Sequence, residues 1–310
     1  MIKSRITLKQ LEAFVYVVDL GTFRAAAAAL GTTQPNISAR MSALEAALDA
    51  KLLLRDRASV RLTDRGATLL KQAREVIWAG EKLLEEAGRR DLIEERLRLG
   101  VTELVACTWL QDFLRLLKQA YPSLRVELRV DLSPVIEELL VQGQIDLALQ
   151  SGPFKTAISA TMHLGDEAYV WAANSANAAA LDGGTDTGRF FAMPVLTHAR
   201  HTQAGEALHD VAATRGWDAN QIIHSSALSA CLPLACEGLG VALLPLGLVR
   251  QDLEQGQLVR LEADWVPEPL SFWARYKDES APRYVGQAAG LAAKARAEHV
   301  HKENLSTQKI

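Results

Sequence analysis

In this 310-residue chain the side chains whose type and spacing could do chemistry appear first in a short stretch near the N-terminus, Thr33-Gln34-Pro35-Asn36-Ile37-Ser38-Ala39-Arg40. An amide side chain can bond an adenine edge through two atoms, and a guanidinium can do the same for guanine. Gln34, Asn36 and Arg40, with Thr33, Pro35 and Ser38 among them, therefore suit the reading of base edges. Just downstream, Arg55, Arg57 and Arg61 punctuate the β-rich run LLLRDRASVRLT, which suits a phosphate backbone. Taken alone, the first stretch is equally well a polar surface helix, so its meaning depends on its surroundings.

Groups that could run a reaction are lacking. The sequence has no P-loop, GxGxxG, HExxH, GxSxG or paired-cysteine metal spacing. Its seven histidines are scattered, and His198 and His201 miss the four-residue spacing that puts two ligands on one helix face. The expectation is a protein that is no enzyme and holds no cofactor or metal. Charge points the same way. Residues 1–66 carry ten Lys/Arg against six Asp/Glu, a local charge of +4, in a chain whose net charge is −3. A basic head on an acidic body is expected where one end alone meets phosphate.

The elements that must position these groups can be read from periodicity. Thr7 is placed to cap a helix to about Leu20, with Leu8, Leu11, Phe14, Val15 and Val18 at three-and-four spacing. Gly21-Thr22 starts a short alanine-rich helix to Leu30. Gly31-Thr32 turns into a third helix capped by Thr33, with Pro35 in its first turn. There Ile37, Met41, Leu44 and Leu48 must face a core, leaving Gln34, Pro35, Ser38, Ala39 and Ser42 on the other side. From Asp64 to about Gly88 a longer helix follows. Its heptad seam, Leu69, Ala73, Val76, Gly80, Leu83 and Ala87, with a flanking ridge of Leu70, Ile77 and Leu84, predicts pairing with a second copy of the chain. One amphipathic helix packed on its own domain is the alternative.

After Arg90 helices and strands alternate. Strands are expected at Leu97–Val101, Leu124–Val130 and Ile145–Gln150, with one helix from Glu103 to Ala120 and another from Ser133 to Val141 between them. A second set spans Glu167–Ala173, Pro194–Thr197, Gln221–His224 and Gly240–Leu244, and Leu270–Tyr276 returns to the first sheet. Residues 176–189 read as a surface loop, and 299–310 as a polar, flexible tail. Such a pattern predicts two α/β lobes joined by crossovers near 151–168 and 263–270, with a crevice at the carboxyl ends of the strands.

Helix starts and strand ends facing a crevice supply N–H donors that favour anions. The candidates are Thr102, Ser133, Gln150 and Ser151 from one lobe and His198, Arg200, His201, Thr202 and Ser225 from the other. Arg200 with two histidines suggests a small carboxylate; singly, each also reads as a solvated loop residue. Cys231 and Cys236, five apart on an apolar helix, offer a redox-switch alternative, although buried structural cysteines are the commoner case. The three cysteines make no disulfide framework, and the N-terminus has no apolar leader. A cytoplasmic protein without membrane association is therefore expected. A secreted solute-binding protein, the other alternative, would carry a leader and no basic head.

The motifs LKQLEAFVYVVDLGTF, AAAALGTTQPNISARMSALEAAL and LLLRDRASVRLTDRG resemble the N-terminal domain of LysR-type transcriptional regulators. The stretches RLRLGVT, YPSLRVELRVDLSPVIEELLVQGQIDLAL, ACEGLGVALLP and QDLEQGQLVRL resemble that family's effector-binding domain, itself similar to periplasmic binding proteins. The resemblance spans residues 6 to about 276. It implies DNA contacts at Gln34, Pro35 and Ser38, a match at Arg55 to the family's near-invariant arginine after the third helix, a cap at Thr63, and effector contacts at Ser133 and Thr202. It departs from the family at Ala39, where a basic residue is usual, at Leu53, where phenylalanine is usual, and at Leu104, where a hydroxyl is frequent. The implied architecture is α+β. A winged helix-turn-helix (1–66) is followed by a linker and dimerisation helix (67–90) and a two-lobed effector domain (91–298). Lobe I takes about 91–160 and 268–298, and lobe II about 161–267. The implied partners are double-stranded DNA with an inverted-repeat operator, a small effector, RNA polymerase, and other copies of the chain in a homodimer and homotetramer.

Overall fold

The computed structural model describes residues 6–55, 60–89, 96–181, 184–279 and 281–307. Three helices open the chain: α1 (Leu8–Asp19), α2 (Phe23–Ala29) and α3 (Gln34–Leu48). Gly31, at φ +57°, makes the left-handed step between α2 and α3 that a side chain with a Cβ adopts at a cost. A two-stranded wing follows, β1 (Leu53–Arg55) paired antiparallel with β2 (Val60–Leu62), then the 23-residue helix α4 (Asp64–Glu86). Leu11, Phe14, Val17, Ile37, Met41 and Leu44 form the core of this head, and Leu70 and Ala73 of α4 join it. Ala26 and Ala27 of α2 are buried in the same cluster, where only small side chains leave room for close helix approach.

The body begins with β3 (Arg96–Val101), α5 (Glu103–Cys107), α6 (Leu110–Ala120), β4 (Arg125–Val130), α7 (Ser133–Val141), β5 (Leu147–Ser151) and β6 (Ala160–Glu167). It continues through β7 (Tyr169–Ala173), α8 (Ser175–Ala180), β8 (Val195–His198), α9 (Gln203–Arg215), β9 (Ile222–Ser225), α10 (Leu228–Cys236) and β10 (Val241–Pro245). It ends with α11 (Leu246–Glu254), β11 (Val259–Leu261), β12 (Leu270–Tyr276) and α12 (Arg283–Thr307). Two five-stranded sheets result, β4-β3-β5-β12-β6 in lobe I and β11-β7-β10-β8-β9 in lobe II. The parallel pairs β3–β4, β3–β5, β8–β9 and β8–β10 are joined through helices, which is why the apolar faces of both sheets are covered.

Four local expectations change. Residues 160–173 are two strands in different lobes, so the lobe boundary falls at Ala168 and β6 belongs to lobe I rather than lobe II. The 103–120 segment breaks into α5 and α6 at Thr108-Trp109. The 176–189 stretch is not all loop: α8 occupies its start, and a 3-10 turn covers Thr187–Ala192. The chain past 299 stays helical through Thr307, because α12 meets neither proline nor glycine after Gly290.

Candidate DNA-reading face and effector cleft

In α3 the apolar residues Ile37, Met41 and Leu44 are buried, while Thr33, Gln34, Pro35, Asn36, Ala39 and Ser42 are exposed. Ser38 and Arg40 lie half-buried at the flanks. The exposed face thus starts at the helix N-terminus, where N–H groups and the positive dipole end also favour phosphate. Asn36 donates from Nδ2 to Thr32 Oγ1 at 3.2 Å, which orients its amide at the rim. Arg61 is exposed on β2. Arg57 lies outside the described residues, as does the side chain of Arg55, whose backbone pairs with Val60 in the wing.

Glu45 holds this face against the wing, and nothing in the sequence pattern singled it out. The residue is 9% exposed. Oε1 accepts from the backbone N–H of Leu52 at 2.8 Å and of Leu53 at 3.3 Å, and Oε2 accepts from Lys51 Nζ at 3.0 Å. Burial pushes the carboxyl up, but the donors from Leu52, Lys51 and Leu53 together outweigh it and hold the group below its ordinary value. Thr63 completes the join: its hydroxyl donates to Lys51 O at 2.7 Å and accepts from Gly66 N–H at 2.8 Å at the start of α4. Gly66 has no room for a side chain, since a Cβ would stand 2.1 Å from Leu52 O.

Along α4 the seam read from the sequence divides. Leu70 and Ala73 turn into the head, with Leu69 and Ile77 packed against it, and Leu84 packs on the body. Val76 and Leu83 stay exposed, at 48% and 70%.

In lobe I the strands end in a polar cluster. Leu97, Leu99 and Val101 point to the core shared with α6 and α12. The alternate positions Gly100 and Ala148 meet Ile136 and Ile145 on the α7 side. Continuing that alternation places Thr102 and Gln150 together on the α7 side, beyond the parallel pair Val101 and Leu149. Thr102 N–H donates to Leu149 O at 3.1 Å. Thr102 is 9% exposed and Gln150 fully buried, yet Thr102 Oγ1 and both amide atoms of Gln150 lack a protein partner. Buried polar atoms are nearly always satisfied, so such a group of orphans marks a place for water or ligand. Ser133, at the start of α7, accepts from Ser151 N–H at 3.0 Å, and the two hydroxyls share a 3.0 Å bond.

Lobe II brings fewer of its candidates to the same place. His198 at the end of β8 is half-buried, its Nε2 unpartnered, and burial holds its imidazole below the usual range. Ser225 is used in the turn before α10, donating to Ala227 O at 2.7 Å and accepting from Ala227 N–H. Thr202 caps α9, with its hydroxyl accepting from Gly205 N–H at 3.3 Å. Arg200 and His201 are exposed, and the Arg200 guanidinium meets His209 Nε2 of α9 at 3.0 Å. Of the positive cluster expected from Arg200 and the two histidines, Arg200 and His201 are thus exposed, and His198 alone is half-buried.

Cys231 is 1% exposed, with Sγ 3.6 Å from Thr197 O, and Cys236 Sγ lies 3.8 Å from an Asp252 oxygen. Burial pushes both thiols up, and at Cys236 the Asp252 carboxylate adds to the shift. The exposed Cys107 is likewise raised, by burial and by Glu103. Among the described residues no group of three or more His, Cys, Asp or Glu could hold a metal ion, and no helix is long and apolar enough to cross a membrane.

Comparison with known proteins agrees with this division of the chain. Residues 8–67 match the bacterial regulatory helix-turn-helix protein, lysR family, and residues 90–293 match the LysR substrate binding domain. The chain is 33% identical over 146 residues to the HTH-type transcriptional regulator YvbU of Bacillus subtilis, covering 46% of this chain and half of that protein. It is 29% identical over 257 residues to a probable hydrogen peroxide-inducible genes activator of Mycobacterium avium, covering 81% of this chain and 82% of that protein. Its fold is similar to that of full-length LysG from Corynebacterium glutamicum with bound effector Arg, at TM-score 0.57 and 21% identity, covering 94% of this chain and 99% of that one. With a helix-turn-helix, a long linking helix and a two-lobed α/β body in that order, the chain belongs to the LysR family of DNA-binding transcription regulators, a non-enzymatic family with an effector-binding domain.

Proposed function

We propose that this regulator reads an inverted-repeat operator with the exposed start of α3, and that a small carboxylate-bearing effector in the interlobe cleft sets its output at RNA polymerase. The observation that carries the effector reading is the orphaned cluster of Thr102 Oγ1 and the Gln150 amide at the ends of β3 and β5. A fully buried amide without partners costs stability, and a polar ligand offering both donor and acceptor removes that cost. The N-terminus of α7 beside it supplies the positive dipole end that suits a carboxylate. DNA contacts are assigned to Thr33, Gln34, Pro35, Asn36, Ser38 and Arg40 for the bases, with Arg55, Arg57 and Arg61 on the phosphates.

The exposed pair Val76 and Leu83, seven residues apart on α4, supports pairing of two chains along that helix. Val126, Leu128 and Val130, exposed along the edge strand β4, support a further contact that makes the dimer a homotetramer. DNA as partner puts the protein in the cytoplasm. Thermal-shift measurements on the full chain with a panel of small mono- and dicarboxylates test the effector reading. A ligand that raises Tm in the wild type and fails in both Gln150→Leu and Thr102→Val supports it. Stabilisation that survives both substitutions rules the site out.

A peroxide response, suggested by the name of the mycobacterial relative, has less support. Thiolate is the reactive form, and all three thiols of this chain are pushed away from it.

A further inference from the structure

Helix α10 begins without a cap of its own. Its N-cap residue is Ala227, which has no side-chain acceptor to offer the first N–H groups. Those groups are nonetheless satisfied, by a carboxylate from the other lobe. Glu103, the first residue of α5, accepts from Leu228 N–H at 2.5 Å through Oε2. Through Oε1 it accepts from Ser229 N–H at 3.3 Å and from the Ser229 hydroxyl at 2.5 Å. The contact joins residues 125 and 126 positions apart in sequence and bridges lobe I to lobe II.

We infer that the start of α10 is a carboxylate site occupied by the chain's own Glu103, an internal stand-in that holds the two lobes together until an anionic group of the effector replaces it. Two further observations point to a ligand nearby, and a third makes the exchange electrostatically cheap. Thr102, the neighbour of Glu103, is nine-tenths buried with an unpartnered hydroxyl. The His198 ring, close enough for the Glu103 carboxylate to act on it, presents an unpartnered Nε2. No cation among the described residues lies within ion-pair distance of Glu103, so its carboxylate is held by N–H and O–H donors alone and can leave without stranding a buried positive charge. The inference rests on the cleft being the effector site, and it names the chemistry of exchange there: one carboxylate for another.

Backbone hydrogen exchange at Leu228 and Ser229 in the full-length protein tests this without any effector. Glu103→Ala should speed exchange at these amides by about tenfold or more, as expected for loss of charge-assisted bonds. Sodium acetate should then slow it again in Glu103→Ala, and should have no such effect in the wild type or with sodium chloride at equal ionic strength. Glu103→Gln, which keeps one carbonyl acceptor but no charge, should fall between the two. If Glu103→Ala does not fold, Ser229→Ala replaces it, with a smaller rise expected at the same amides. Unchanged exchange in the substituted proteins overturns the bridge. Accelerated exchange that acetate does not reverse in Glu103→Ala, or in Glu103→Gln where that variant is the one that folds, overturns the carboxylate site. Either failure leaves the Gln150 and Thr102 ligand test standing, so the two readings can fail separately.

Discussion

Replacing Glu45 with alanine should loosen the wing from the recognition helix. The substitution removes the acceptor that, among the described residues, serves two buried backbone N–H groups, those of Leu52 and Leu53, which are 0% and 7% exposed. An orphaned buried donor costs about 1–3 kcal/mol. The 3.3 Å bond to Leu53 belongs at the low end of that range, and the bond to Lys51, whose side chain is 79% exposed, adds little. The sum is roughly 2–4 kcal/mol, local to the join of α3, β1 and α4. A multidomain chain need not unfold in one step, so the assay is hydrogen exchange at residues 50–54, expected to accelerate roughly 30- to 1,000-fold. Binding to operator and to random DNA should weaken together if the wing supplies the proposed phosphate contacts. Exchange at Leu52 and Leu53 indistinguishable from wild type would refute the reasoning.

The same group sets a pH dependence. Its pKa is held below the ordinary value in the folded head, so its contribution to stability is present above the ordinary carboxylate range and is lost as pH falls through the folded value. Glu45→Gln removes that titration. The urea midpoint of the head in the wild type should therefore fall more steeply below the ordinary carboxylate range than in Glu45→Gln, and parallel curves would contradict the assignment.

Other consequences can be measured independently. Gly66→Ala forces a Cβ to within 2.1 Å of Leu52 O and should cost the head about 2 kcal/mol or more, read as a lower thermal transition. Arg275→Ala should cost about 3–5 kcal/mol, because it strands Glu137 in a site where the two side chains are only 2% and 7% exposed, and it also removes the guanidinium stacked 3.8 Å over Phe154. Leu83→Lys should leave the circular dichroism spectrum intact and shift light-scattering mass toward the monomer; an unchanged mass would remove α4 from the proposed dimer seam. Gln34→Ala should relax discrimination among operator variants, whereas Arg61→Ala should weaken all sequences about equally and lower the salt slope by roughly one.

How much of this was legible in the sequence follows from the range of each interaction. The head reads well because Ile37, Met41 and Leu44 recur at helical spacing and Thr63 precedes its helix, both local signals. The α/β body reads as an order of elements, since each strand is a short apolar run between turn residues. The break at Ala168 does not, because β6 and β7 follow with one residue between them and the fold alone decides which sheet each joins. Helix α12 is hard to read from sequence for a different reason. Beyond Tyr284 and Val285 its buried apolar residues are alanines, Ala288, Ala289, Ala292 and Ala295, and alanine on both faces gives little apolar contrast. Of the cleft residues, Thr102, Gln150 and His198 could be placed at strand ends, but Arg200 could not be oriented, since its partner His209 lies two turns into the next helix.

What stayed invisible shares one chemistry. Four glutamates, Glu45, Glu103, Glu137 and Glu167, each accept from backbone N–H groups outside their own element: Leu52 and Leu53, Leu228 and Ser229, Lys155 and Thr156, and Gly247. A glutamate is long enough to span between elements and has two oxygens to share among donors, so it can satisfy irregular backbone that no ladder reaches. Sequence shows only an acidic residue on a helix flank or strand end. Three of the four are also paired with a cation: Glu45 with Lys51, Glu137 with Arg275 and Glu167 with Arg296. At the two arginines, both nearly fully buried, losing the carboxylate leaves a charge in low dielectric, which fixes those joins as permanent. Glu103 lacks such a partner among the described residues and lies where the two lobes meet. Of the four it is the one that another anion can replace at little electrostatic cost, which is the property a regulated contact between lobes requires.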